Sequence, residues 1–323
     1  MVLKRLFILV IIVSSVDVWG EDGLAYSGGE ALGVPPAELV PEISGLAVSR
    51  DYADVVWVHN DSGDGAVVYA LSLTTGELLG TATLPGVRAR DWEDMAIGPG
   101  PDKRFEYLYL GDMGNNSRNQ KEFLVYRTPE PVVVKRAGFA PSEALAKYVE
   151  MFRLAYPEPD RAVFDAEALL VDPESGELTV VTKDHDENGG RSFIFRTDGE
   201  PKEGELNRLI LVGEIFFGTG VRNRVSGGDV SADGRWVVVR SYLQARVYRR
   251  EEGQSVGEAL LGSYTTVALA FEFQGEAIGF DRRKEFDGAE VPTFYSASEL
   301  GPKAVNPNRV MRPISRYSAK RGN

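Results

Sequence analysis

The chain contains no cysteine and only two histidines, His59 and His185, in 323 residues. The first absence rules out disulfides, a thiol nucleophile and a lipoprotein attachment point. The second leaves a Ser-His-Asp triad few ways to form. No lipase-type elbow, Gly-Lys phosphate loop or dinucleotide fingerprint is present either. Positive charge is in short supply: 36 Lys and Arg against 48 Asp and Glu give a net charge of −12. Nucleic acid and anionic membrane surfaces attract basic patches, so neither is an expected partner. Long apolar runs are also missing, apart from Leu6 to Val16 behind Lys4 and Arg5. That run is too short for an ordinary membrane span. It reads as a secretion signal over residues 1–20, cleaved near Gly20. The expected location is secreted or periplasmic, with no stable membrane insertion after cleavage.

What the chain does have is a repeat. Five segments share a pattern: Ser44-Gly-Leu-Ala-Val, Glu93-Asp-Met-Ala-Ile, Glu167-Ala-Leu-Leu-Val, Gly228-Asp-Val-Ser-Ala and Glu276-Ala-Ile-Gly-Phe. Apolar residues follow two and four places after each leading residue, on one face of a strand. Each copy is followed by a second strand-like run, such as Val55-Val-Trp-Val, and a third, such as Phe123-Leu-Val-Tyr-Arg. In the last unit the third run is read at Arg309-Val-Met-Arg. Fourth strands are expected near Leu78–Leu84, Tyr148–Leu154, Leu209–Ile215 and Thr266–Phe273. The last unit lacks one, and Leu24–Gly29 or Ala31–Val34 is placed to supply it from the opposite terminus. Residues 21–323 carry no linker-like break and are 43% hydrophobic over the whole chain, enough for one large domain. The pattern predicts an all-β, five-bladed β-propeller of four-stranded antiparallel blades, a monomer. A six-bladed propeller is the alternative. A β-sandwich also alternates, but it has no recurring leading motif.

In a propeller the first strand of each blade lines the axis. Ser44, Glu93, Glu167 and Glu276 are therefore expected to converge, with Asp229 beside Gly228 as the fourth unit's contribution. Like charges at such range need protons or a cation. A hard cation with oxygen ligands fits, and Ca2+ suits the set better than zinc because no His or Cys belongs to it. The other reading is that these carboxylates cap neighbouring strands or pair with arginines. Polar turns after the second strands, His59-Asn60-Asp61-Ser62-Gly63-Asp64 and Gly111-Asp112-Met113-Gly114-Asn115-Asn116 among them, are expected at the same mouth. Asn, Asp and Gly are also simply good turn residues. Lys183, Arg240, Arg88 and Arg90 add positive charge there. A metal at the floor and basic groups at the rim suit a small anionic ligand such as phosphate. Asn60, Asn115, Lys183, Arg240 and Arg90 are the candidates to hold it.

The order of these motifs resembles a widespread group of secreted bacterial propellers reading SGLA, HNDSG, RDWEDIA, GDIGDN, DAEAL, TKD, GADVSPDG and QGEAI. The likeness runs from Glu42 to Glu299. More distantly the layout is similar to the calcium-activated nucleotidases, the five-bladed apyrases. That resemblance implies one axial calcium held by Ser44, Glu93, Glu167 and Glu276, and hydrolysis of nucleoside di- and triphosphates. Gly228 departs from it, because a hydroxyl stands at the corresponding place. Calcium-dependent propeller phytases are a looser parallel. The expected function is a secreted calcium-dependent hydrolase of a phosphoanhydride or phosphoester, with Asp61, Asp94 or Asp112 as catalytic carboxylates. The alternatives are a binding propeller with a structural ion and a lactonase or other sugar-directed hydrolase.

Overall fold

The computed structural model describes residues 24–133, 142–157, 163–183, 190–281, 292–303 and 306–321. The signal segment and His185 lie outside them. Two short strands come first, β1 (Leu24–Tyr26) and β2 (Glu30–Ala31). The first blade is β3 (Ile43–Val48), β4 (Val55–Asn60), β5 (Val67–Ser72) and β6 (Leu78–Thr83). The second is β7 (Trp92–Gly98), β8 (Tyr107–Asp112) and β9 (Glu122–Pro129), followed by β10 (Ser142–Leu145) and β11 (Glu150–Ala155). The third is β12 (Asp165–Val171), β13 (Leu178–Lys183) and β14 (Arg191–Arg196), then β15 (Leu206–Arg208) and β16 (Ile210–Phe216). The fourth is β17 (Val225–Val230), β18 (Trp236–Ser241) and β19 (Gln244–Arg249), then helix α1 (Val256–Ala259) and β20 (Tyr264–Ala268). The fifth is β21 (Gln274–Phe280), β22 (Phe294–Glu299) and β23 (Ser315–Tyr317), and β24 (Ala319–Arg321) ends the series.

Five sheets of this kind make a five-bladed β-propeller, and the described residues form no sixth blade. The first strands β3, β7, β12, β17 and β21 pack side by side in a closed ring. Each is buried along almost its whole length because a neighbouring blade covers either face. The core is accordingly divided into five apolar clusters, one for each junction between blades. Trp57 and Trp92 fill the first junction, Phe152 and Phe195 the second, and Phe280 and Tyr317 lie in the junction of blades four and five.

The ring closes as the sequence suggests. β2 pairs antiparallel with β23 and becomes the outer strand of the last blade. One strand differs from expectation: residues 309–312 are not the third strand of that blade. Asn306 folds them into a turn, taking Val310 N–H on Oδ1 and donating to Leu300 and Val310 carbonyls. A second feature departs from a purely antiparallel reading. The connection from third to fourth strand swings out to the preceding blade. β10 pairs parallel with β6, and β15 pairs parallel with β11. In the fourth blade α1 occupies the corresponding connection and packs on β14 and β16.

Two buried aspartates tie first strands together. Asp94 on β7 accepts Met95 N–H at 2.8 Å on Oδ1, and Leu169 and Gly228 N–H at 2.9 and 3.1 Å on Oδ2. One carboxylate therefore bridges three blades. Asp229 on β17 accepts Val230 N–H at 2.8 Å and Phe280 N–H at 2.7 Å, linking blades four and five. A buried amide left without its acceptor costs about 1–3 kcal/mol. Asp94→Ala orphans up to three, so a loss of at least about 3 kcal/mol is expected in urea unfolding. A melt indistinguishable from the parent would contradict this role.

Candidate metal centre

In every blade the pairing of first and second strand slips by one residue. The extra residues are Ser44, Glu93, Glu167, Ser226 and Glu276. Such a bulge re-aims one side chain and bends the strand. The leading position of the fourth repeat is therefore Ser226, not Gly228. The hydroxyl missing from the sequence register is present two residues earlier. Ser226 Oγ donates to Gly275 O at 3.0 Å, and Ser44 Oγ donates to Glu93 O. Each serine thus ties its blade to the next.

Carboxylates gather around the glutamates. Asp91, two places before Glu93, and Asp165, two places before Glu167, join them. Asp61, Asp91 and Glu93 offer oxygens within 4.8 Å of one another, and so do Glu93, Asp165 and Glu167. Glu93 belongs to both groups. The turns after the second strands reach the same mouth, as expected. Lys183 Nζ forms an ion pair with Glu167 Oε1. Tyr242 donates its hydroxyl to Glu276 Oε1 at 3.1 Å, and Gln274 Nε2 donates to the same oxygen at 3.2 Å. Gly114 makes room: a Cβ there would run into Glu93 Oε1 and the Asp91 carboxylate.

This crowding is costly without a counter-charge. Burial and the neighbouring Glu276 and Asp91 push Asp61 up to about 7. Burial and Glu276 push Glu167 up to about 8, against the pull of Lys183. Glu93 is raised well above the ordinary range by burial, Glu167 and Asp61. Burial and Glu276 hold Glu299 at about 11. Burial disfavours the Lys183 ammonium, but Glu167, Tyr242, Glu93 and Glu276 outweigh it and keep it charged. Two oxygens complete the picture. Glu167 Oε2 and Asp61 Oδ1 are buried with no hydrogen-bond partner. Unpartnered buried carboxylate oxygens in an all-oxygen cluster fit a hard cation such as calcium. His59, the one histidine among the described residues, is not part of it. Its Nδ1 lies 2.9 Å from Asn60 O, its ring packs edge-on against Trp92, and burial lowers it to about 4.

Other expected residues stand elsewhere or are already engaged. Asp229 lies three places beyond Ser226 and holds backbone amides. Asp94 does the same across three blades. Asp112 accepts Arg90 Nε at 3.3 Å and Asp91 N–H at 3.1 Å, so this pair braces the entry to β7. Arg240 is fully buried, donating to Glu272 at 2.5 Å and to the Ala277 carbonyl at 3.0 Å. Asn60 bonds Glu42 N–H, Leu39 O and Asp64, while Asn115 ties the turn to Gln120 and Phe164 carbonyls. Of the anion-binding candidates, Lys183 stands in the acidic mouth as the ion-pair partner of Glu167, and Asn115 reaches it through its backbone N–H, which donates to Asp165 Oδ1 at 2.5 Å. Asp91, Asp165 and Ser226 are the members that the sequence motifs did not single out, whereas Tyr242 and Glu299 belong to the turns after the second strands that were expected at this mouth. The shared Asp-x-Glu of Asp91-Trp-Glu93 and Asp165-Ala-Glu167 is the signal that marks the first two.

No family model matches the sequence, and no curated protein matches it. Among solved structures the fold is similar to a chain of Kuenenia stuttgartiensis hydrazine synthase, at 10% identity, covering 88% of this chain and 96% of that one with a TM-score of 0.39. The strand pairing of this chain defines its propeller independently of that likeness.

The raised carboxyls set a pH dependence. A carboxyl raised in the folded state binds its proton more tightly there than in the unfolded chain. Its contribution is full below the unfolded value and is lost as pH rises through the folded one. In chelator, the melting temperature is therefore expected to fall from about pH 5 to pH 8, the span between ordinary carboxylates and the values of Asp61 and Glu167. Calcium is expected to flatten that slope. A cation-free melting temperature that rises across this window would refute the crowding.

Proposed function

We propose that the chain is an exported, calcium-dependent propeller hydrolase acting on a phosphoanhydride or phosphoester. The observation that carries this reading is the buried carboxylate cluster at one mouth of the axis, with two unpartnered oxygens and, among the described residues, a single ammonium. Glu93, Asp165 and Glu167 are the residues that would hold a cation on the axis, because Glu167 Oε2 has no other partner. Such a cation, when bound, draws the negative oxygens of a phosphate to an otherwise repulsive mouth.

The protein's own groups then divide the remaining tasks. Lys183 stands beside Glu167 and supplies a fixed positive charge for a phosphate oxygen. The Tyr242 hydroxyl, bonded to Glu276, is a further donor at the mouth. Asp61 sits at the end of β4 with one unpartnered oxygen and is raised to about 7, in the range where a carboxylate exchanges protons near neutrality. It is the group placed to hold the attacking water, directly or through a bound cation. Asp94 and Asp112 are engaged with backbone amides and Arg90, so they support the site rather than reach a substrate.

Phosphate release from nucleoside di- and triphosphates and from phosphomonoesters, with calcium and with chelator, tests the reading. Calcium-dependent release is expected. Asp61→Asn is expected to lower it by at least about 100-fold, with no drop in melting temperature in chelator. Calcium that raises the melting temperature while no substrate is turned over would replace the hydrolase with a binding propeller whose ion is structural.

A further inference from the structure

Glu167 has one satisfied oxygen and one that is not. Its Oε1 forms the ion pair with Lys183 Nζ, while its Oε2 is buried with no hydrogen-bond partner. The Glu167 side chain is 1% exposed, so water does not readily fill the unmet half. Register puts the lysine there. Lys183 ends β13 opposite Asp165, and the bulge between Ala166 and Ala168 turns Glu167 out beside it. Burial works against the Lys183 charge, and Glu167, Tyr242, Glu93 and Glu276 outweigh it. In turn the ammonium counters the burial that raises Asp61, Asp91 and Glu93. Acids of blades one, two, three and five thus draw on one ammonium among the described residues. A cation held by Glu93, Asp165 and Glu167, whose oxygens lie within 4.8 Å of one another, would share the Glu167 carboxylate with it. Two positive charges on one buried carboxylate repel each other strongly where water screens little.

We propose that Lys183 is a resident counter-ion which the axial cation displaces from Glu167, so that the lysine sets the charge an entering ion must bring. This rests on the reading of the mouth as a cation site and assigns its ion specificity. A monovalent ion that takes the ammonium's place exchanges one positive charge for another and gains little from the surrounding acids. A divalent ion brings a second charge to the same carboxylates, and the gain covers the displacement. The flexible four-carbon stem lets the ammonium leave Glu167 while staying in the mouth. Once off Glu167 it is free to meet a phosphate oxygen, so the ion and the anion-binding charge become available together.

Calcium affinity tests this without any assay of turnover. The full chain and two variants are stripped with chelator and titrated with CaCl2 by calorimetry at about pH 9, where protons compete least for the carboxylates. Lys183→Met removes the charge and keeps a stem of similar length. It is expected to bind calcium at least about tenfold more tightly than the parent. Lys183→Arg retains the charge and is expected to show no such gain. Melting separates competition from packing. In chelator, Lys183→Met is expected to melt below the parent, because Glu167 has lost its counter-ion. In saturating calcium that gap is expected to close. Equal or weaker calcium binding by Lys183→Met, or a melting gap that calcium leaves unchanged, overturns the competition and leaves the cation site standing. No calcium bound by either the parent or Lys183→Met removes the cation site and the competitor with it.

Discussion

A ring of only five first strands is narrow, and a bulge in each strand turns one residue out of the regular alternation toward the axial mouth. The rest of the molecule follows from that constraint. Where two blades meet most tightly, side chains give way to glycine: a Cβ on Gly227 would collide with the Glu276 carbonyl. Where a hydroxyl stands at the bulge, as at Ser44 and Ser226, it bonds the carbonyl of the next blade. Where a glutamate stands there, a charge is placed in a space with little water. The same geometry that closes the ring thus concentrates negative charge.

The protein deals with buried carboxylates in two distinct ways. Asp94 and Asp229, deeper along the first strands, receive backbone amides from adjoining blades and act as fasteners. Arg240 and Glu272 neutralise one another out of solvent between blades four and five. The mouth is different. There Asp165 receives the Asn115 N–H, Lys183 is the one nearby ammonium among the described residues, and oxygens of Asp61 and Glu167 remain unmatched. Glu177 Oε1 is likewise unmatched, but its carboxylate is paired with Arg196, whereas the mouth sets its unmatched oxygens among several further carboxylates.

Much of the fold was legible in the sequence because four leading residues have apolar partners at the second and fourth places beyond them. The fourth repeat misled for a physical reason. Its second place is Gly228, where a Cβ would meet the Val238 carbonyl at 2.9 Å, so the apolar marker is absent and the register slipped by two. In the last blade Val310 and Met311 resemble a strand, but Asn306 bends them into a turn. The site was half legible. Glu93 and Glu167 are where the motif puts them, while Asp91 and Asp165 were passed over because a bulge breaks the simple count of faces. Arg240 was read as a rim residue from its place near a turn. It is still one residue inside β18, on the face that looks into the barrier between blades. Asp94 shows the general limit: an acidic residue beside a ligand position reads as chemistry, and only the amides of Leu169 and Gly228 reveal it as a clasp.

The last blade takes its outer strand from residues near the other end of the chain, with Glu30 opposite Arg316. The acids of the mouth come from blades one, two, three and five, so they meet only after that seam is sewn. The full crowding of the mouth is therefore a property of the finished circle, although its two three-carboxylate groups belong to blades one to three. Opening the seam would relieve the repulsion that blade five adds and leave the acids of blades one to three in place.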